Sequence, residues 1–131
     1  MRTQQITEDG IRRLVDEFYT KVRADPELAP IFERAILGNW DLHLANMYDF
    51  WSSVMLISGR YKGNPVEKHR RLKDIEPRLF DRWLQLFGEA CNEVLDDDVA
   101  ADFRAKAGRI AESLKLALFY RPDRPWPKSA W

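Results

Sequence analysis

Ile11-Arg12-Arg13-Leu14-Val15-Asp16-Glu17-Phe18-Tyr19-Thr20-Lys21-Val22 is the stretch on which the fold is decided. Ile11, Leu14, Val15, Phe18, Tyr19 and Val22 recur at i, i+3, i+4, i+7, i+8 and i+11, the spacing of one apolar stripe on an α-helix. Thr7, Glu8 and Asp9 just ahead of it suit a helix start. Downstream, Pro26 interrupts the pattern, and a short segment from Pro26 to Ala35 carries Leu28, Ile31 and Phe32. Gly38-Asn39 breaks the chain again. From Trp40 to about Ser58 a second long helix fits, with His43, Met47, Phe50 and Val54 in one narrow arc and Gly59 as its stop.

The same period runs through the second half. Gly59 to Pro65 reads as a loop, and a short helix from Pro65 to Leu72 follows, with proline in its first turn. A third long helix runs from about Glu76-Pro77 to Leu95, with Leu79, Phe80, Trp83, Leu86, Phe87, Ala90 and Val94 on its apolar arc. Asp96-Asp97-Asp98 gives a turn and an acidic first turn, favourable to the helix dipole. The last helix carries Val99, Phe103, Ala107, Ile110, Leu114 and Ala117 to about Tyr120. Residues 121–131 hold Pro122, Pro125 and Pro127, which forbid regular helix, together with Trp126 and Trp131. No alternating strand pattern and no internal repeat interrupts this reading. The expected architecture is all-α: four long helices and two short ones in one domain, 1–120, followed by a tail, 121–131.

Length and composition agree with a single domain. The chain has 131 residues, enough for one core without staples, and its 45% hydrophobic and 32% charged content is that of a globular protein. Basic and acidic residues number 21 each, for a formal net charge of +0, so no overall field draws it onto nucleic acid. The one cysteine, Cys91, excludes an internal disulfide and a cysteine-rich zinc site, and it suits a reducing compartment. No apolar run approaches the ~20 residues of a spanning helix, and the opening Met1-Arg2-Thr3-Gln4-Gln5 has no apolar segment of the secretory kind. The expectation is a cytoplasmic protein with no membrane insertion and no nucleic-acid partner. Aromatic residues are abundant: five Trp, seven Phe and four Tyr make 12% of the chain. Such a load suits a large core, or a cavity built around a flat apolar ligand.

Chemistry-bearing motifs are few. There is no phosphate-binding Gly-rich loop, no H-E-x-x-H pair and no Glu-x-x-His of the kind that di-iron bundles use. Two histidines remain. His43 lies mid-helix on an apolar face, which suits either a core histidine or a functional one. His69, in Glu67-Lys68-His69-Arg70-Arg71, reads either as a solvated residue in a basic cluster or as a ligand. Tyr19 and Trp83 sit in apolar arcs as core residues do, yet each brings one donor that needs a partner when buried.

Six pieces in order bring these residues together: Phe18-Tyr19 in the first helix; Phe32 after Ala29-Pro30-Ile31; His43 three residues after Trp40; Phe50-Trp51; Tyr61-Lys62-Gly63-Asn64-Pro65-Val66-Glu67-Lys68-His69; and Leu79-Phe80-Asp81-Arg82-Trp83-Leu84-Gln85-Leu86-Phe87. In this order they resemble a truncated haemoglobin, most closely the group III, or P-type, branch of the globin superfamily. The resemblance runs from about Ile11 to Tyr120. The absence of any Gly-Gly pair favours group III over the other branches. Met47 is a mild departure, since an aliphatic residue is more usual there.

The resemblance implies a truncated globin fold, a two-over-two helical sandwich around one haem b (iron protoporphyrin IX). It implies His69 as the proximal iron ligand, its second ring nitrogen bonded to a carbonyl or water. It places Tyr19, His43, Trp83 and Met47 on the distal side, where ligands bind, and Phe18, Phe32, Phe50, Trp51, Tyr61 and Arg70 about the haem pocket. Lys68, Arg70 and Arg71 become candidates for pairing with haem propionates. The implied ligands are diatomic gases, O2, NO and CO, with a reductase as partner, and the implied roles run from oxygen binding and transport to O2, NO or peroxide chemistry. No residue is assigned as catalytic. Without the resemblance, the same chain reads as a cofactor-free helical interaction module, its aromatics all core and its tail a docking segment.

Overall fold

Thr7 Oγ1 accepts the Gly10 N–H at 3.0 Å and so caps the helix that begins at Glu8. The computed structural model describes residues 5–70 and 75–119, without the side chains of Glu67 and Arg70. Its six elements are all α-helices: α1 Glu8–Ala24, α2 Ala29–Ile36, α3 Trp40–Leu56, α4 Pro65–Arg70, α5 Pro77–Val94 and α6 Asp97–Phe119. Arg71, Leu72, Tyr120 and the tail 121–131 lie outside the described residues.

The α1 stripe is buried as its spacing dictates, from Gly10 and Ile11 to Val22. The helix then ends in a turn made by Asp25. Its carboxylate accepts the N–H groups of Glu27 at 3.1 Å and Leu28 at 2.9 Å, while Oδ1 takes Nε and Nη2 of Arg82 at 2.8 and 2.6 Å. The carboxylate organises the chain that was expected to be helix from Pro26, so α2 starts only at Ala29. Asp25 is 4% exposed. Burial alone would raise its pKa, but Arg82 and the two backbone N–H groups outweigh that and hold it below the usual carboxylate value.

The end of α3 also differs from expectation. The left-handed stop is Ile57, at φ 57°, two residues before the expected Gly59, which is itself left-handed at φ 72°. In α6 the last buried position is Leu118, and the expected Ala117 is exposed. At 3.6 residues per turn the stripe Phe103, Ala107, Ala111, Leu114 arrives on 118.

Helix α1 packs on α3 and α5, α5 packs on α6, and α4 rests against α6. The resulting sandwich is centred on Phe18, Phe87 and Phe103, all fully buried, each worth roughly 2–3 kcal/mol of apolar burial. A smaller cluster of Phe80, Ala111, Leu114 and Leu118 takes Val66 of α4 onto its edge. The His43-to-Val54 arc of α3 is only half-buried, whereas Trp40, Trp51 and Ser52 are its buried residues. Part of that arc therefore faces a cavity rather than core.

Candidate functional site

The cavity has a volume of about 510 Å³ and is walled by all six helices and the loop before α4. That size suits a cofactor or small ligand. Tyr19 enters from α1, Phe32 from α2, His43, Met47, Phe50 and Trp51 from α3, Tyr61 from the loop, His69 from α4 and Trp83 from α5. These nine residues singled out in the sequence thus share one cavity, and Lys68, a propionate candidate, lines it as well. Phe18 does not line it. It is 1% exposed and stands behind the wall, its ring 4.8 Å from Tyr19, 5.5 Å from Trp83 and 5.2 Å from Phe87. One residue along a helix is a rotation of about 100°, which turns Phe18 into the core while Tyr19 meets the cavity. Arg70, also expected here, has its side chain outside the described residues.

One wall is a cage of rings. The His43 imidazole lies edge-on to Tyr19 at 4.8 Å, to Trp40 at 5.8 Å and to Phe32 at 6.1 Å. Its Nε2 is buried and has no hydrogen-bond partner among the described residues. Burial first, and then the electrostatic influence of Lys68 and His69, push the His43 pKa down to about 4, so the ring is neutral at pH 7. Burial pushes the Tyr19 phenol well above its ordinary value, so it keeps its proton and remains a donor. Trp83 is held flat by stacking: it lies 5.4 Å from Phe87 at 5°, and Phe87 lies 4.9 Å from Trp51 at 15°.

The α4 side is different. His69 Nδ1 is 2.7 Å from the Pro65 carbonyl oxygen, four residues back on the same short helix. Since a carbonyl can only accept, Nδ1 carries the proton and donates, which leaves Nε2 as an unprotonated lone pair. Burial lowers the His69 pKa, which keeps the ring in this neutral form. The Phe80 ring sits 5.9 Å away.

At the loop, Tyr61 lies edge-on to Phe50 at 5.2 Å, and Lys68 Nζ is 5.4 Å from the Tyr61 ring centre. A Cβ at Gly63 would collide with the Tyr61 hydroxyl, so glycine is what lets that side chain fold over the loop. Two polar residues of the wall, Arg34 and Asn46, were not singled out from sequence. Asn46 could have been, because it follows His43 by three on the same helix face.

Comparison with known proteins reads this geometry. The family model of the bacterial-like globins matches residues 6–114. The chain is 34% identical over 122 residues to a group 3 truncated haemoglobin of Campylobacter jejuni, covering 91% of this chain and 96% of that one. The chain belongs to the group III truncated haemoglobins. The crystal structure of the group III truncated haemoglobin from Campylobacter jejuni superposes with a TM-score of 0.87, at 34% identity and the same coverage.

A truncated haemoglobin is a haem protein, and the residues present fit that group. An imidazole with Nδ1 committed to a carbonyl offers Nε2 to iron. The lining is mainly apolar and aromatic, as a porphyrin requires. The orphaned Nε2 of His43 marks where a polar partner is missing. The alternative of a cofactor-free module, with every aromatic in the core, gives no account of that atom or of the cavity. Among the described residues, no helix is long and apolar enough to cross a membrane.

Proposed function

We propose that this chain holds haem b through His69 Nε2 and binds O2, with NO and CO as related ligands, in a pocket edged by Tyr19, His43 and Trp83. The observation that carries the reading is the pairing, within one cavity, of a histidine whose Nδ1 is tied down with a second histidine whose buried Nε2 has no partner. When bound, ferrous haem supplies reversible coordination of a diatomic gas. The chain supplies the rest. Tyr19 O–H and Trp83 N–H are neutral donors in a mainly apolar cavity, where they favour a ligand that draws negative charge to its outer atom. His43, neutral at physiological pH, accepts or donates according to tautomer, and its ring cage limits where it can swing. Met47, an adaptable side chain, fills the remaining space on α3. The Pro65 carbonyl orients the proximal ring. Lys68, which lines the cavity, would pair its positive charge with haem propionates. A reductase that returns ferric iron to ferrous belongs to the same reading, as does a reducing, cytoplasmic setting for the buried free thiol of Cys91. The purified protein tests it. An intense Soret band that shifts on adding carbon monoxide to the reduced protein is expected, and a colourless protein that takes up no added haemin overturns it.

A further inference from the structure

The loop between α3 and α4 supplies Tyr61 to the cavity and leads into His69, yet little apolar packing holds it. Residues 57–60 and 62–64 are exposed. What ties it down is polar. Arg60 donates through Nη1 and Nη2 to the two oxygens of Glu8, at 3.0 and 2.8 Å, and through Nε to Asp49 at 3.0 Å. Glu8 also accepts the hydroxyl of Ser52 at 2.7 Å, and Ser52 Oγ lies 2.9 Å from Ser58 Oγ. Ser52 is fully buried, so its hydroxyl anchors this surface carboxylate to the interior. Next to the clasp, the Tyr61 N–H donates to Ser53 Oγ at 2.9 Å. The first turn of α1, the middle of α3 and the loop are thus joined through one guanidinium.

A lone exposed ion pair holds little. A guanidinium that spends its fork on one carboxylate and its remaining N–H on another, with a buried hydroxyl behind, is a geometric constraint as well as an attraction. We infer that Arg60 is a positioning residue for the cavity: its clasp on Glu8 and Asp49 holds the loop so that Tyr61 and the α4 segment close over the bound group. The inference rests on the haem reading for its functional consequence and on the loop contacts for its structural one.

The two are tested together on the haem-loaded protein. Haem transfer to excess apomyoglobin is expected to be about fivefold or more faster in Arg60→Ala. Arg60→Lys, which keeps the charge and loses the fork, falls between. Glu8→Gln, which leaves the Asp49 contact in place, is expected to fall between wild type and Arg60→Ala, and the double variant to be no faster than Arg60→Ala, because Arg60→Ala already removes the contact that Glu8 makes. In amide exchange, the Tyr61 N–H is expected to exchange about tenfold faster in Arg60→Ala while the central α1 amides keep their wild-type rates. Loss within twofold of wild type, with Tyr61 exchange unchanged, overturns the inference. So does equal acceleration of Tyr61 and the α1 core, which would make Arg60 a general stability residue. If wild type takes up no haem, the functional reading fails, and the exchange pattern still decides the clasp.

Discussion

Tyr19, His43 and Trp83 stand on helices of 17, 17 and 18 residues, whereas His69 stands on a helix of six. The three long helices are held by their own buried faces, and the rings of Phe18, Phe87, Trp40 and Trp51 fix the side chains that reach the cavity. A helix of six residues has no stability of its own in water. It depends on Val66 against the smaller cluster, on α6 and on the loop that leads to it. One side of the cavity is therefore preorganised by the fold, and the other is less firmly held. The proposed donors stand on elements that their own buried faces secure, and the proposed iron ligand, His69, stands on the one that depends most on its neighbours.

Breaking the α4 side gives the largest effect. His69→Gly is expected to abolish proximal ligation, seen as loss of the wild-type ferrous spectrum and of haem on desalting, and added imidazole should restore the ligated spectrum. A wild-type spectrum in His69→Gly would move the ligand elsewhere, and loss from His43→Gly alone would reverse the two sides.

On the preorganised side the effects are smaller and concern rates. Tyr19→Phe and Trp83→Phe are each expected to raise the O2 dissociation rate roughly tenfold or more, the scale of one lost donor of about 1.5–3 kcal/mol. Carbon monoxide, with less charge on its oxygen, should respond less. Both donors share one ligand, so the double variant should fall short of the product of the singles. Stopped-flow kinetics on the three variants checks this, and unchanged O2 release in both singles would return these residues to the core.

The same side has an acid signature. His43 is held at about 4 in the folded chain against an unperturbed 6.5, so the unfolded state binds a proton first. The stability lost to this begins as pH falls through 6.5 and is complete near 4. Asp25 and Glu8, held below their ordinary values, contribute stability that is lost only as pH falls further, through the usual carboxylate range. His43→Leu is expected to lose less stability than wild type between pH 7 and 4.5, by denaturant unfolding at the two values, with the same decline as wild type below pH 4.

The smallest effect lies at the hinge between the two sides. Ile57 is left-handed, a conformation that a β-branched residue adopts at a cost, and it is 87% exposed, so burial returns nothing. Ile57→Gly is expected to raise stability by about 0.5–1 kcal/mol, the relief of strain less the freedom glycine gains in the unfolded chain. A lower melting temperature would assign Ile57 a contact that outweighs the strain.

Periodicity made the helices legible, and the resemblance to the truncated haemoglobins, carried by six pieces in order, named nine of the cavity residues. Periodicity reports which way a side chain points, not what meets it. The resemblance puts Phe18 at the pocket, whereas the structure sets it behind the wall, and the half-buried arc of α3 cannot be told from core by pattern alone. The polar ties were invisible for a related reason. Glu8 and Arg60 are 52 residues apart, and Asp25 and Arg82 are 57 apart. Each is an ordinary charge among many until the fold brings its partner near. Asp25 moved the start of α2 for that reason: a buried, turn-forming carboxylate with a guanidinium behind it overrode Pro26 as a helix start.

The stacked Trp83, Phe87 and Trp51 have an optical consequence. Trp51 and Trp83 form part of the cavity wall, and Trp40 touches the imidazole of His43. Three of the five indoles in the chain are therefore within a ring or two of any porphyrin in that space, close enough for their emission to be extinguished by energy transfer. Intrinsic fluorescence would be dim in the loaded protein and rise as the cavity empties, so the aromatic wall doubles as a built-in gauge of occupancy, readable without any label.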